Sequence, residues 1–163
     1  MYQMKRAEEP GWHVDLFPYG CVLRTHPVAA GWACVLRHYD HVKIMSGSDP
    51  SRSSYRMHLV AAIGGLRQLK WPCIVDMYAQ EEYLLECGRE LVSPDQFNRF
   101  NIAVRTGKAK NADLWREFHR LNEIHWIRLC RLFKPVPQEY GPMAKLEAGR
   151  EAQAMWMAAR ANA

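Results

Sequence analysis

The sequence predicts one α/β domain, with an antiparallel run of strands first and then helix, strand, helices, strand and a closing helix. Three observations carry this. Apolar and polar residues alternate from His13 to Tyr19, the period-two pattern of a half-buried strand. Two more strand-like runs, Trp32 to Tyr39 and His41 to Met45, are joined tightly at Asp40, which reads as a meander. Later, apolar residues recur at helical spacing, as in Leu114, Phe118 and Leu121.

The elements follow in order. Residues 1–12 form an N-terminal extension and residues 13–163 the domain. Gly20 to Gly31 is expected as a loop around Pro27, and Ser46 to Ser53 as a polar turn. Ser53 or Ser54 then caps a helix reaching Lys70, with Leu59, Ile63 and Leu66 on one stripe and Met57, Ala61 and Gly64 on the next. Apolar residues on both stripes place this helix against a sheet, and the Gly64–Gly65 pair serves close packing. Trp71 to Met77 is a short strand and Gln80 to Cys87 a short helix. Ser93 starts another helical piece ending near Asn101, and Arg105 to Lys110 is a basic loop. Asn111 caps a helix to Asn122, Ile124 to Arg131 is a strand, and Phe133 to Gln138, with Pro135 and Pro137, is a loop. A helix from Glu139 to Ala159 closes the chain.

Composition narrows the function. The 163 residues are 48% hydrophobic and 24% charged, which argues against a disordered or fibrous chain. No apolar run approaches a membrane span, and the polar start is not expected to be a signal peptide. The five cysteines are widely spaced and form no C-x-x-C pair, so no structural zinc is expected and a reducing, cytoplasmic location is. No cofactor is implied. The net charge of +5 is concentrated: Arg99 to Lys134 holds nine Lys+Arg against three Asp+Glu. The six tryptophans are expected mostly in the core.

Five segments, in order and correctly spaced, resemble type 1 ribonuclease H from about Val14 to Arg150. Val14-Asp15-Leu16-Phe17-Pro18-Tyr19-Gly20 resembles the opening strand ending in Asp-Gly, and Gly31-Trp32-Ala33-Cys34-Val35-Leu36-Arg37 the second strand. Tyr55-Arg56-Met57-His58-Leu59 resembles the Asn-Arg-Met-Glu-Leu helix start, and Tyr78-Ala79-Gln80 follows the strand where the family has Asp-Ser-Gln. Lys110-Asn111-Ala112-Asp113-Leu114-Trp115 resembles the helix after the family's basic protrusion. The resemblance implies a ribonuclease H-like α/β fold, with a central mixed five-stranded sheet, three strands antiparallel and then two parallel, flanked by helices.

It also implies two divalent metals on four carboxylates, hard anionic oxygens clustered on one spot. At the matching positions stand Tyr19, His58 and Tyr78, and the region of the last carboxylate, Pro142 to Lys145, holds no acid. The expectation is therefore a catalytically inactive pseudo-nuclease with no metal, binding RNA·DNA hybrid or another duplex through a basic face. The phosphate-binding positions of the family match Thr25, Ser53 and Ser54, backed by Arg56, and its basic protrusion matches a stretch holding Arg99, Arg105, Lys108 and Lys110. One alternative is a protein-interaction module, with Met155, Trp156 and Met157 of the last helix as a protein-partner surface. Another is an altered metal-dependent nuclease using Asp15, Asp76 and His58, since Asp76 shares a strand face with Tyr78 and Asp15 with Tyr19. No membrane partner is expected.

Overall fold

A computed structural model describes residues 11–131 and 139–162. Strands β1 (Trp12–Leu23), β2 (Ala29–His38) and β3 (His41–Asp49) form the antiparallel meander, and β4 (Cys73–Ala79) and β5 (Trp126–Arg131) run parallel to β1, in the sheet order β3-β2-β1-β4-β5. Helices α1 (Ser54–Leu66), α2 (Glu82–Val92), α3 (Arg99–Arg105), α4 (Ala112–Ile124) and α5 (Tyr140–Ala161) flank it. The architecture is the mixed, helix-flanked sheet that the sequence predicts.

Strand alternation sorts β1 onto two faces. Val14 and Leu16 join Val75, Met77, Ile127, Leu59, Ile63 and Phe118 in the main core. Phe17 packs with Val35 and Ala144 of α5 on the other face, with Tyr19 and Tyr78 at its edge. Leu16 and Phe17 are both fully buried, each worth about 1.5–3 kcal/mol of transfer free energy. Helix α1 is buried along two stripes, and a Cβ on Gly64 would meet the Trp32 ring while one on Gly65 would meet Cys34 Sγ. The glycine pair is there for contact, as expected.

Several boundaries differ from the sequence expectation. The segment read as a loop from Gly20 continues β1 to Leu23, pairing Gly20 with Trp32 and Val22 with Ala30, because a hairpin ladder is held by backbone groups and needs no apolar alternation. Strand β3 runs on to Asp49, since an edge strand tolerates polar Ser46 and Ser48. Helix α1 stops at Leu66 rather than Lys70. Glu81, not Gln80, opens α2 by accepting a hydrogen bond from Leu84 N, and the helix reaches Val92. Asn98 caps α3 through Asn101 N, so Arg105 lies on a helix and not in a loop. Asn111 precedes α4 in a left-handed conformation, φ 57°, and its side chain caps nothing. Trp115 is fully buried, but Trp12 and Trp71 are 50% and 62% exposed, so the core reading fails for those two. The proline-containing loop lies outside the described residues.

Tyr83 ties the helical layer together. Its hydroxyl accepts from Trp115 Nε1 at 2.8 Å and from Asn111 Nδ2 at 3.2 Å, and donates to the Lys110 carbonyl at 3.2 Å. Its ring stacks on Tyr55 of α1 at 4.9 Å.

Candidate functional site

Tyr19 stands within β1 at the point where α1 crosses it. Gly20 has no side chain, and a Cβ there would meet the backbone of Met57 and His58. The close approach lets Gly20 N–H donate to His58 Nδ1 at 3.1 Å. Tyr19 meets the His58 ring edge-on, centroids 4.7 Å apart, and Lys145 Nζ of α5 lies 5.7 Å from the Tyr19 ring centre. Burial drives the His58 imidazole down to about 4, so it is neutral at ordinary pH. Tyr78 stands one strand away, its ring stacked on Phe17 at 5.0 Å. Its phenol is pushed up to about 12, first by burial and then by Asp15 and Asp76, so it stays protonated.

Tyr19, Gly20 and His58 border a cleft of about 850 Å³ between the last part of β1, α1 and α5, with Pro142, Lys145 and Arg150 also lining it; Tyr78 lies outside its lining. Among the described lining residues there is no carboxylate. The structure thus brings together Tyr19 and His58, with Tyr78 nearby. This donor set, a phenol, a neutral imidazole and an ammonium, does not fit two hard divalent ions.

Four residues back along β1, the chemistry changes sign. Asp15 and Asp76 are direct neighbours in the parallel register of β1 and β4, flanked in register by Arg37 of β2 and Arg128 of β5. Arg37 reaches Asp15 at 3.0 Å, Arg128 grips Asp76 with two hydrogen bonds of 2.6 and 2.9 Å, and His13 Nε2 lies 2.6 Å from Asp76. Burial works to raise Asp76, but the hydrogen bonds from Arg128 and His13 outweigh it and hold the carboxyl below its usual range. Burial prevails at Asp15, which is raised despite Arg37. One ligand atom each from His13, Asp15 and Asp76 falls within 4.8 Å of the others. The residue types of this His/Asp/Asp set suit a single ion, which would have to displace both guanidinium groups and the His13–Asp76 hydrogen bond. The sequence brings Asp15 and Asp76 together with His58, but His58 lies at the cleft and His13 takes that place. The available signal was His13-x-Asp15 on one strand face.

The expected nucleic-acid contacts divide. Thr25 is exposed and donates to the Pro27 carbonyl, and Ser53 caps α1 by accepting from Arg56 N. Ser54 borders the cleft. Arg56 is held by Asp113 at 2.8 and 3.1 Å and by Asn111 Oδ1 at 3.3 Å, which leaves it a bracing role between α1 and α4. Arg99 and Lys108 are exposed, Lys110 lies over Tyr55 at 5.1 Å, and Arg105 lies over Phe97, which is 79% exposed. The local basic excess is partly spent inside the fold: Arg120 pairs with Glu117, Arg128 with Asp76 and Arg131 with Glu82. On α5, Met157 is exposed, whereas Trp156 is partly covered and faced by Arg160 at 4.9 Å. Among the described residues no helix is long and apolar enough to cross a membrane.

No protein-family model matches the chain. Curated relatives do. Ribonuclease H of Legionella pneumophila (strain Lens) is 35% identical over 114 residues, covering 70% of this chain and 78% of the relative. Ribonuclease H of Thermus thermophilus is 33% identical over 144 residues, covering 88% and 86%. Among solved structures, LC9-RNase H1, a type 1 RNase H with the type 2 active-site motif, matches with a TM-score of 0.72 at 16% identity, covering 91% of this chain and 75% of that one. A foamy viral protease-reverse transcriptase in complex with RNA/DNA hybrid matches at 0.67 and 13% identity, over 90% of this chain and 21% of that one. The expectations of an inactive pseudo-nuclease and of a non-enzymatic interaction module are overturned by the relatives, which carry an enzyme's name over more than three quarters of their length. The chain belongs to the ribonuclease H family.

Proposed function

We propose that the protein is a nuclease acting on RNA·DNA hybrid, with its metal chemistry moved from the strand ends to His13, Asp15 and Asp76. The observation that carries this reading is the convergence of those three ligand atoms on adjacent parallel strands. Family membership supports the reaction, and the hybrid bound to the foamy viral neighbour supports the substrate class. A bound ion would supply positive charge against the phosphodiester and a more acidic water. A nitrogen and two carboxylates suit Mn²⁺ better than Mg²⁺. Arg37 and Arg128 hold the two carboxylates side by side, and half-exposed His13 forms the open edge of the cluster. The exposed Arg99, Arg105, Lys108 and Lys110 supply the contacts to backbone phosphates.

Labelled hybrid is incubated with the full chain in Mg²⁺, in Mn²⁺ and in EDTA. Cleavage in Mn²⁺ that Asp76→Asn abolishes is the expected result. Absence of cleavage in either metal overturns the nuclease reading, and cleavage that survives Asp76→Asn removes the cluster from it. Arg128→Gln, by freeing Asp76, should lower the Mn²⁺ concentration needed for half-maximal rate.

A further inference from the structure

The cleft at the end of β1 has no part in the metal chemistry proposed above, yet its chemistry is specific. Hydrogen bonding fixes the His58 tautomer: Nδ1 accepts from Gly20 N–H, so the one proton of the neutral ring sits on Nε2. Nothing among the described residues hydrogen-bonds that Nε2, and it is not sealed from solvent. His58 therefore offers the cleft a donor and no lone pair. Gly20 is what sets this arrangement, since any side chain there would drive the helix away from the strand.

The surrounding charges agree in sign. Lys145 makes no ion pair with a described residue, and its ammonium stands close enough to the cleft wall to act on Cys21 as well as on the Tyr19 ring. Arg150 is shared with Glu147 at 3.4 Å, on the same side. A donor-lined cavity holding unpaired positive charge, with no carboxylate among its described walls, attracts an anion and repels a cation. Its volume of about 850 Å³ and its apolar stretch at Val22 and Leu146 leave room for a sugar and base beside a phosphate.

We propose that this cleft is a metal-free phosphate site, which takes the phosphate of a nucleotide, free or within a strand, on Lys145 Nζ and His58 Nε2–H. The site goes beyond the nuclease reading and does not depend on it. Bound phosphate oxygens accept from both groups, and the Tyr19 ring, 5.7 Å from Lys145 Nζ, steadies the ammonium.

The test uses the full chain in EDTA, with inorganic phosphate, AMP and a short hybrid as probes, followed by NMR of the His58 and Lys145 side chains. Phosphate and AMP should both shift these signals without added metal. Lys145→Glu, at an exposed position that leaves folding intact, should weaken AMP binding about tenfold or more, the loss of a charge-assisted hydrogen bond. His58→Gln, which keeps a donor, should bind better than His58→Phe. Competition between AMP and hybrid assigns the site to a strand phosphate, and binding of both at once assigns it to a free nucleotide. Unchanged signals at millimolar AMP would falsify the proposal. So would AMP binding that needs a divalent ion, or Mg²⁺ alone shifting His58. Cleavage by the parent protein and its loss in Asp76→Asn are read separately, so failure of one proposal is not failure of the other.

Discussion

Two places on the same strand pair, Tyr19 with Tyr78 and the row of Asp15 with Asp76 behind them, carry opposite chemistry. At the first stand phenols, a neutral imidazole and an ammonium; in the row, four residues (~13 Å) back on β1 and two (~7 Å) back on β4, stand two carboxylates between two arginines. Both lie on the same sheet face, because Asp15 and Tyr19, like Asp76 and Tyr78, are an even number of residues apart. A fold that keeps its backbone can therefore exchange the sign of a site by moving acids along a strand in steps of two. The four charges of the row cancel within the sheet, so an ion there would compete with Arg37 and Arg128, whereas the cleft's positive charge looks outward.

The comparison breaks most severely at Gly20. Gly20→Ala pushes a methyl group into the α1 backbone and should cost about 3 kcal/mol or more in urea denaturation, with the His58 ring losing its fixed tautomer. Acid is the next test. The folded pKa of His58 lies near 4 and its unfolded one near 6.5, so the unfolded chain binds the extra proton between them. Stability is full above about pH 6.5 and falls as pH drops toward 4, by about 2–3 kcal/mol from this residue. Buried His125, lowered by the same cause, adds to the fall as pH drops below its usual range. His58→Phe should flatten the pH curve, and an unaltered curve would count against a buried neutral imidazole.

In the row, Asp76→Ala strands Arg128 and Arg37 beside a lone Asp15. The expected loss is about 2 kcal/mol, below that of a fully buried pair because Arg128 and His13 are half exposed. Folding stability of Asp76→Asn measured alongside its cleavage separates structural from chemical damage. The smallest effect belongs to the protrusion: Arg105→Glu with Lys108→Glu should leave stability within about 0.5 kcal/mol and lower the salt dependence of hybrid binding by about one unit of slope per lost phosphate contact.

Much of this was legible in the chain. Alternation from His13 to Tyr19 gave β1 its two faces, and the Leu59, Ile63 and Leu66 stripe gave α1 its buried side. The hairpin beyond Gly20 was not legible, because its ladder is made of backbone groups that Cys21, Val22 and Leu23 do not advertise. The charged row depends on register across four strands, which no local spacing encodes; only after Asp15 is set opposite Arg37, and Asp76 opposite Arg128, does it exist. The basic stretch misled in the other direction. Arg120, Arg128 and Arg131 count toward it in sequence, yet each is turned onto a carboxylate of the fold.

The Tyr83 hydroxyl uses its donor and both of its acceptor positions on groups of the α4 entrance, while its ring leans on α1. The segment bearing Lys108 and Lys110 is thereby bolted to the helix that bears His58. A duplex bound as proposed would therefore meet not a swinging arm but two positive stations held in one frame, and the spacing between them would act as a gauge on the phosphates it is offered.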